Sequence, residues 1–209
     1  MEVNEISEYQ KEKGEQGEQV VFQALTKFID PVGFIFHSYE YKMVEGLPGN
    51  IKKLDDGSLQ VQGIAEKTEL DILLCTSNFL YPIEVKTYSG NVRVTGKELI
   101  RPGNAYSDKS PVHQNEMHCR HLYNQIYYMI PDGKPNYIKP LVIFADKNCC
   151  ITDERDVKEV KYIPVATITN AIKLIAGYER NPNPKTLNVQ EMYKELKKIG
   201  SCKKELKVL

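Results

Sequence analysis

The chain has 209 residues and a mass of 23.9 kDa, enough for one core, and its 41% hydrophobic and 27% charged residues are ordinary for a globular domain. Acidic and basic side chains balance and the pI is near 6.9, so no global field favours nucleic acid or membrane, and a polyanionic partner would need a local basic surface. No apolar run approaches the roughly 18 residues of a membrane span, the acidic, polar N-terminus is unlike a signal or transit peptide, and five cysteines without CxxC spacing argue for reduced thiols in the cytoplasm over a disulfide framework or a zinc knuckle.

From about Ile6 to Ile29 the spacing predicts a helix: Val21, Phe22, Leu25, Phe28 and Ile29 recur at helical intervals, and Pro31-Val32-Gly33 ends the run. Gly14 and Gly17 weaken its first half. Glu18 shares the apolar face and points inward, whereas Glu15 reads as a solvated edge. Phe34 to Met43 alternates as a strand. Val44 to Lys67 reads as a surface insertion, with a small hairpin (Ile51–Leu54 and Leu59–Ile64) about an Asp55-Asp56-Gly57 turn. The central feature follows: two apolar runs, Leu70 to Cys75 and Phe79 to Val85, joined by Thr76-Ser77-Asn78, predict a buried β-hairpin. Ser89-Gly90-Asn91 turns into a short strand, Val92–Val94, and Gly96 to Ser110 reads as a long loop.

Ser110 and Pro111 are suited to N-cap and first position of a helix predicted from about Val112 to Ile130. Its apolar face carries Cys119, Leu122, Ile126, Met129 and Ile130, with Gln114, His118, His121 and Gln125 as a polar stripe beside it. His118 and His121 could share an ion, but no second ligand pair is evident, and contact with phosphate or solvent is the simpler reading. Tyr137 to Ala145 predicts a buried strand whose Pro140 implies an edge or a bulge. Val160–Val165 predicts a strand, Ile168–Ala176 a helix and Val189–Ile199 a terminal helix before a frayed lysine-rich tail that could contact phosphates. His37 and His113 have no distinctive setting. Tyr106, Tyr123, Tyr127 and Tyr128 are candidates for stacking on bases.

The expected fold class is α/β (α+β), a central mixed sheet flanked by helices. One domain is expected over 1–209, its core at about 6–146, with 147–209 supplying an accessory strand and helices.

Charges sit in the hairpin where apolar residues belong. Asp71 lies in the first strand, and Glu84 and Lys86 share a face of the second. Buried charges are costly unless paired or bound to metal. The pattern fits a buried ion pair, and it also fits a hard divalent cation, Mg²⁺ or Mn²⁺, held by Asp71, Glu84 and the Val85 carbonyl. Such a cation would activate water for phosphodiester hydrolysis. Lys86 could hold that water or neutralise developing charge, and Glu18 could complete the metal shell or bind a second ion.

Four motifs in order carry a family resemblance: Gly14-x-x-Gly17-Glu18, Thr68-Glu69-Leu70-Asp71-Ile72, Ile83-Glu84-Val85-Lys86 with Gly90, and Ser110-Pro111-Val112-His113-Gln114. They resemble the nuclease-related domain (NERD) family of the PD-(D/E)xK nuclease superfamily. The resemblance implies a restriction-endonuclease-like core and a nuclease acting on DNA. It implies Asp71 and Glu84 as metal ligands, Lys86 as the catalytic lysine, Glu18 as the helix-borne acid, and Gln114 as the residue reaching in from the second helix. Ser110 replaces the family's Asn, the chain has no tryptophan, and the 44–67 connection is long. A homodimer or larger DNA-processing complex is the expected source of specificity, with no membrane partner. The alternative from another class is a nucleic-acid-binding or protein-interaction module that keeps the fold without cleaving.

Overall fold

A computed structural model describes residues 8–42, 51–53, 59–61, 67–101 and 108–209. Helix α1 (Glu8–Leu25) continues into a 3₁₀ turn, Thr26–Ile29, and β1 (Gly33–Lys42) follows. The small hairpin is present as β2 (Ile51–Lys53) paired with β3 (Leu59–Val61), while its Asp55-Asp56-Gly57 turn lies outside the described residues. The central hairpin is β4 (Lys67–Thr76) and β5 (Leu80–Lys86). Then come β6 (Gly90–Val94), β7 (Glu98–Ile100), β8 (Asp108–Lys109) and α2 (Pro111–Ile126). The rest comprises β9 (Leu141–Phe144), β10 (Cys149–Asp153), α3 (Val157–Tyr162), β11 (Val165–Thr167), α4 (Ile168–Arg180), α5 (Val189–Ile199) and β12 (Gly200–Val208).

Six strands form one mixed sheet in the order β11-β9-β5-β4-β1-β12. The β12-β1-β4-β5 portion is antiparallel, whereas β9 and β11 run parallel to β5. A parallel return needs a long crossover, and the connection from β5 to β9 contains α2. One face packs Val21, Phe22 and Leu25 of α1 and Ala171 and Ile175 of α4 against Ile72, Tyr81 and Ile83. The other packs Leu122 and Ile126 of α2 and Met192 and Leu196 of α5 against Phe34, Phe36, Leu70 and Leu73. This is the expected α/β architecture, a mixed sheet flanked by helices as in a restriction-endonuclease-like core.

Several elements differ from the sequence expectation. The Gly96–Ser110 loop holds β7 and β8, which join β6 and β10 in a second sheet of order β10-β6-β7-β8; Pro102, Gly103, Asn104 and Tyr106 lie outside the described residues. The strand expected from Tyr137 begins only at Leu141, and it lies inside the sheet between β5 and β11. Pro140 stands just before it, where its missing N–H breaks no ladder. Val160–Val165 divides between α3, capped by Asp156 accepting from Lys158 N and Glu159 N, and β11. The lysine-rich tail is no frayed end. It is β12, zipped along β1 from Gly33↔Val208 to Tyr41↔Gly200, and Gly200 makes the tight entry possible, since a Cβ there would lie 2.5 Å from Glu40 O. Residues 147–209 thus supply β11 and β12 to the central sheet.

Strand alternation slips by one residue across the sheet. Phe34 and Phe36 of β1 face the α2–α5 side, yet so do Tyr39 and Tyr41; in β4, Leu73 and Cys75 face that side, and so does Leu70. Strict period-two alternation would have turned Tyr39, Tyr41 and Leu70 the other way. The slips fall at Ser38 and Asp71, which lie opposite each other between the pairs His37↔Ile72 and Tyr39↔Leu70. Ser38 absorbs the change with φ 50°, a left-handed conformation rare for a residue with a Cβ.

Gly17 sets how closely α1 sits on β5. A Cβ there would overlap Thr87 Cγ2 and come within 3.2 Å of Ala145 Cβ, whereas Gly14 has open space around it. Gly17→Ala should cost about 1–3 kcal/mol through overpacking, measured by urea unfolding, and Thr87→Ser in the same chain should recover most of the loss. Gly14→Ala should instead stabilise by about 0.5–1 kcal/mol.

Candidate active site

The ladder between β4 and β5 ends at Ile72↔Ile83. One step further the register sets Asp71 opposite Glu84, and there the backbones no longer pair. Lys86 O accepts from Ala145 N on the β9 side, so alternation turns the N–H and C=O of Val85 toward β4. In place of a backbone carbonyl, Asp71 Oδ2 accepts from Val85 N at 2.6 Å. The side chain of Asp71 thereby satisfies a donor that the separating strands would leave unpaired.

Glu84 projects from β5 toward α2 and is almost wholly enclosed, 1% exposed. Lys86, two residues on and on the same face, donates from Nζ to Glu84 Oε1 at 2.7 Å. The other carboxylate oxygen, Oε2, is buried without a hydrogen-bond partner among the described residues, and so is His118 Nδ1, 3.8 Å away. Glu18 arrives from the opposite face on α1. Its Oε2 accepts from His37 Nε2 at 2.9 Å and from Ser38 Oγ at 3.5 Å. The break in the sheet is therefore approached by one carboxylate from the α1 face, one from the α2 face, and Asp71 between them.

Burial raises the Asp71 pKa well above the ordinary aspartate value of 3.8, and repulsion from Glu84 and Glu18 adds to it; the Val85 N–H and Lys86 offset part of the rise. Burial likewise raises Glu84, against the pull of Lys86. For Lys86, burial acts downward, but the Glu84 carboxylate outweighs it and the net direction is up. Burial, with the charges of His121 and Lys86, holds His118 down to about 4. Its ring is neutral at neutral pH, so the 3.8 Å approach to Glu84 is not an ion pair.

Asp71, Glu84, Lys86 and Glu18 come together. Gln114 is exposed on the first turn of α2; its backbone N–H donates to Ser110 O, and among the described residues its side chain makes no hydrogen bond. Glu15 is exposed. His113 is exposed beside Glu116, whereas His37, without a distinctive setting in the sequence, is buried against Glu18. Asn115 was not singled out by sequence reasoning, yet it is fully buried, and its Nδ2 donates to Pro82 O at 3.3 Å and Leu141 O at 2.8 Å. With Tyr41 OH donating to His118 O at 2.8 Å, that contact fixes α2 over β5 and carries His118 to Glu84. A usable signal for the slip lay in the aromatic spacing Phe34, Phe36, Tyr39, Tyr41, which skips a step across His37-Ser38. The tail lysines are engaged: Lys203 lies 3.9 Å from Glu69, Lys204 donates to Gln19 Oε1 at 3.3 Å, and Lys207 to Tyr193 OH at 3.0 Å. Tyr127 and Tyr128 are exposed, while Tyr123 OH donates to Gly133 O.

The donor set suits a hard divalent cation in kind. Two carboxylates with raised pKa values, one of them carrying a buried oxygen without a partner among the described residues, and an inward-turned Val85 carbonyl make a place where added positive charge is stabilising. Among the described residues, however, no three His, Cys, Asp or Glu side chains group closely enough to hold an ion.

The pKa directions set a stability test. A carboxyl whose pKa is raised on folding adds stability at low pH, and that contribution is lost as pH rises from the unfolded value through the folded one. Asp71→Asn keeps an oxygen for Val85 N–H and removes the charge. Its unfolding free energy should match or exceed wild type at pH 7, with the advantage shrinking toward pH 4, as followed by urea titration at several pH values. Asp71→Ala removes the acceptor as well and should fall below Asp71→Asn by about 1–3 kcal/mol.

The family model described as nuclease-related domain (NERD) matches residues 13–145, well over half of the chain and inclusive of every residue of the site. Comparison with curated proteins and with solved structures returns no match. With four ordered motifs, a mixed sheet flanked by helices and a family match across the whole site, the chain belongs to the nuclease-related domain family.

Proposed function

We propose that the chain is a nuclease that hydrolyses phosphodiester bonds with a divalent cation, Mg²⁺ or Mn²⁺, and that its substrate is DNA. The observation that carries this reading is the Glu84 carboxylate. It is enclosed in the sheet, with one oxygen held by Lys86 and the other unpartnered among the described residues, at the point where Asp71 replaces the β4–β5 ladder. A structural ion pair would not need the second carboxylate at the same break, because its repulsion raises the cost of both.

Asp71, Glu84 and the Val85 carbonyl would hold the cation, with Glu18 as a further carboxylate. The cation when bound supplies Lewis acidity and an acidified water. Lys86 has a different task. Its ammonium bonds Glu84 while the side chain keeps 22% exposure, so it can donate to a non-bridging phosphate oxygen and offset charge that grows on the way to the transition state. The His37 and Ser38 contacts hold the Glu18 carboxylate toward the site. Gln114 enters the proposal on the family resemblance alone. DNA is likewise the substrate that the family implies, with a homodimer or a larger DNA-processing complex supplying specificity. The free cysteines suit the cytoplasm.

A second reading, a nucleic-acid-binding or protein-interaction module without catalysis, draws on the lack of three grouped ligand side chains among the described residues. One experiment separates the two. Purified chain is incubated with Mg²⁺ or Mn²⁺ and single- or double-stranded DNA or RNA, beside Asp71→Asn, Glu84→Gln and Lys86→Ala. Each variant should lose at least about 100-fold in cleavage rate. Cleavage at wild-type rate in all three variants would overturn the proposed site, and binding without cleavage by any form would establish the second reading.

A further inference from the structure

We infer that the open edge of β11, with the groove that α4 walls beside it, docks an extended acidic peptide segment of a partner protein, which adds a strand to the central sheet. The inference is independent of the proposed nuclease chemistry.

The central sheet ends at β11 on one side and at β12 on the other. The two edges differ in chemistry. β12 carries Lys203, Lys204 and Lys207, charges of the kind that keep a sheet edge from pairing with another chain. β11 consists of Val165, Ala166 and Thr167 and carries no charge. Pro164 O accepts from Val142 N on the β9 side, so alternation turns the N–H and C=O of Val165 away from β9. Among the described residues no strand pairs with that outer edge. An extended peptide finds there the main-chain partners that strand addition uses.

Beside the edge lies an open groove of about 570 Å³, bounded by β11, the end of α3 and one stripe of α4. On α4, Asn170, Lys173, Leu174 and Tyr178 line it at helical spacing, while Ala171 and Ile175 of the next stripe pack into the core. Val165, Ala166 and Leu174 make much of its lining apolar. Lys161 of α3 and Lys173 of α4 stand exposed in its walls and form no ion pair among the described residues. Lys139 adds to the positive field, its ammonium 5.2 Å from the centroid of the Tyr178 ring. No lining residue is acidic. The carboxylates on the same two helices are turned elsewhere: Glu159 lies toward Gly96, and Glu179 accepts from Thr76, Asn78 and Tyr81. The groove thus complements a strand that alternates acidic and apolar side chains. A nucleic-acid backbone would match the ammonium groups but offer little to the apolar lining, so a peptide is the better occupant.

Fluorescence anisotropy on the full chain tests this with a labelled eight-residue peptide of alternating glutamate and valine. The controls are a lysine–valine peptide and two forms of the acidic peptide, N-methylated at every valine or at every glutamate. The acidic peptide should bind one to one, more weakly as salt rises, and the lysine–valine peptide about tenfold or more less tightly. A strand added to an edge uses the donors of one side only, so one methylation pattern should lose about tenfold and the other little. Lys161→Glu combined with Lys173→Glu should also lose about tenfold, with an unchanged urea unfolding midpoint because both side chains are exposed. No binding of the acidic peptide, equal binding to the double variant, or no loss with either methylation pattern would overturn the inference. Displacement of the peptide by single-stranded oligothymidylate would overturn it too, assigning the groove to nucleic acid. A dimer seen by light scattering and dissociated by the peptide would assign it to a second copy of the chain instead.

Discussion

Where Ser38 and Asp71 face each other, β1 and β4 each lose one step of their alternation, and the pairing of β4 with β5 stops at the next rung. The site depends on that break. A continuous antiparallel ladder would satisfy Val85 N–H from a backbone carbonyl and leave Asp71 no role in the strand. Here the carboxylate takes that role at 2.6 Å, and the Val85 carbonyl is freed from regular pairing. The left-handed Ser38 has a conformation that would cost on the order of 1–3 kcal/mol in isolation. Apolar packing of Phe34, Phe36, Tyr39 and Tyr41 on a single layer holds it there, because correcting the slip would turn two buried tyrosines through the sheet.

The electrostatics follow from the same break. Asp71 and Glu84 stand opposite each other one step past the last β4–β5 rung, and residues directly opposite in an antiparallel pair lie within reach of each other's charge. Burial raises both pKa values there, repulsion from Glu84 adds to the rise at Asp71, and Lys86 is the neutralising charge that pulls against both. The arrangement is unfavourable as a stability device, since replacing it with apolar side chains would remove several desolvation penalties at once. It is favourable as a place for added positive charge and for phosphate chemistry, which is why a functional reading explains it better than a structural one.

Around this point the fold is built to hold distance. Gly17 lets α1 approach β5 closely enough for Glu18 to reach His37 and Ser38. Asn115 and the Tyr41 hydroxyl anchor α2 from the opposite face. β12 shields β1, which would otherwise be an exposed edge directly beside the site. That last element lies outside the 13–145 family match.

The sequence by itself determined the helices from their periodicity, the central hairpin from two apolar runs about a polar turn, and the acidic and basic residues that have no place in such strands. Those signals are local, and a single stretch of chain carries each of them. Tertiary structure alone decided the rest. β12 looked like a solvated lysine tail because an edge strand exposes its charges and acquires its pairing from β1. Pro140 suggested an edge or a bulge because its position relative to the ladder depends on where β9 begins. His37 and Asn115 carried no distinctive local pattern, and the His118–His121 spacing did not point to Glu84, since the meaning of all three lies in partners 19 to 34 residues away in the chain. Burial and proximity across a sheet are properties of the packed molecule, and they turned four misplaced charges and one unremarkable histidine into a single candidate site.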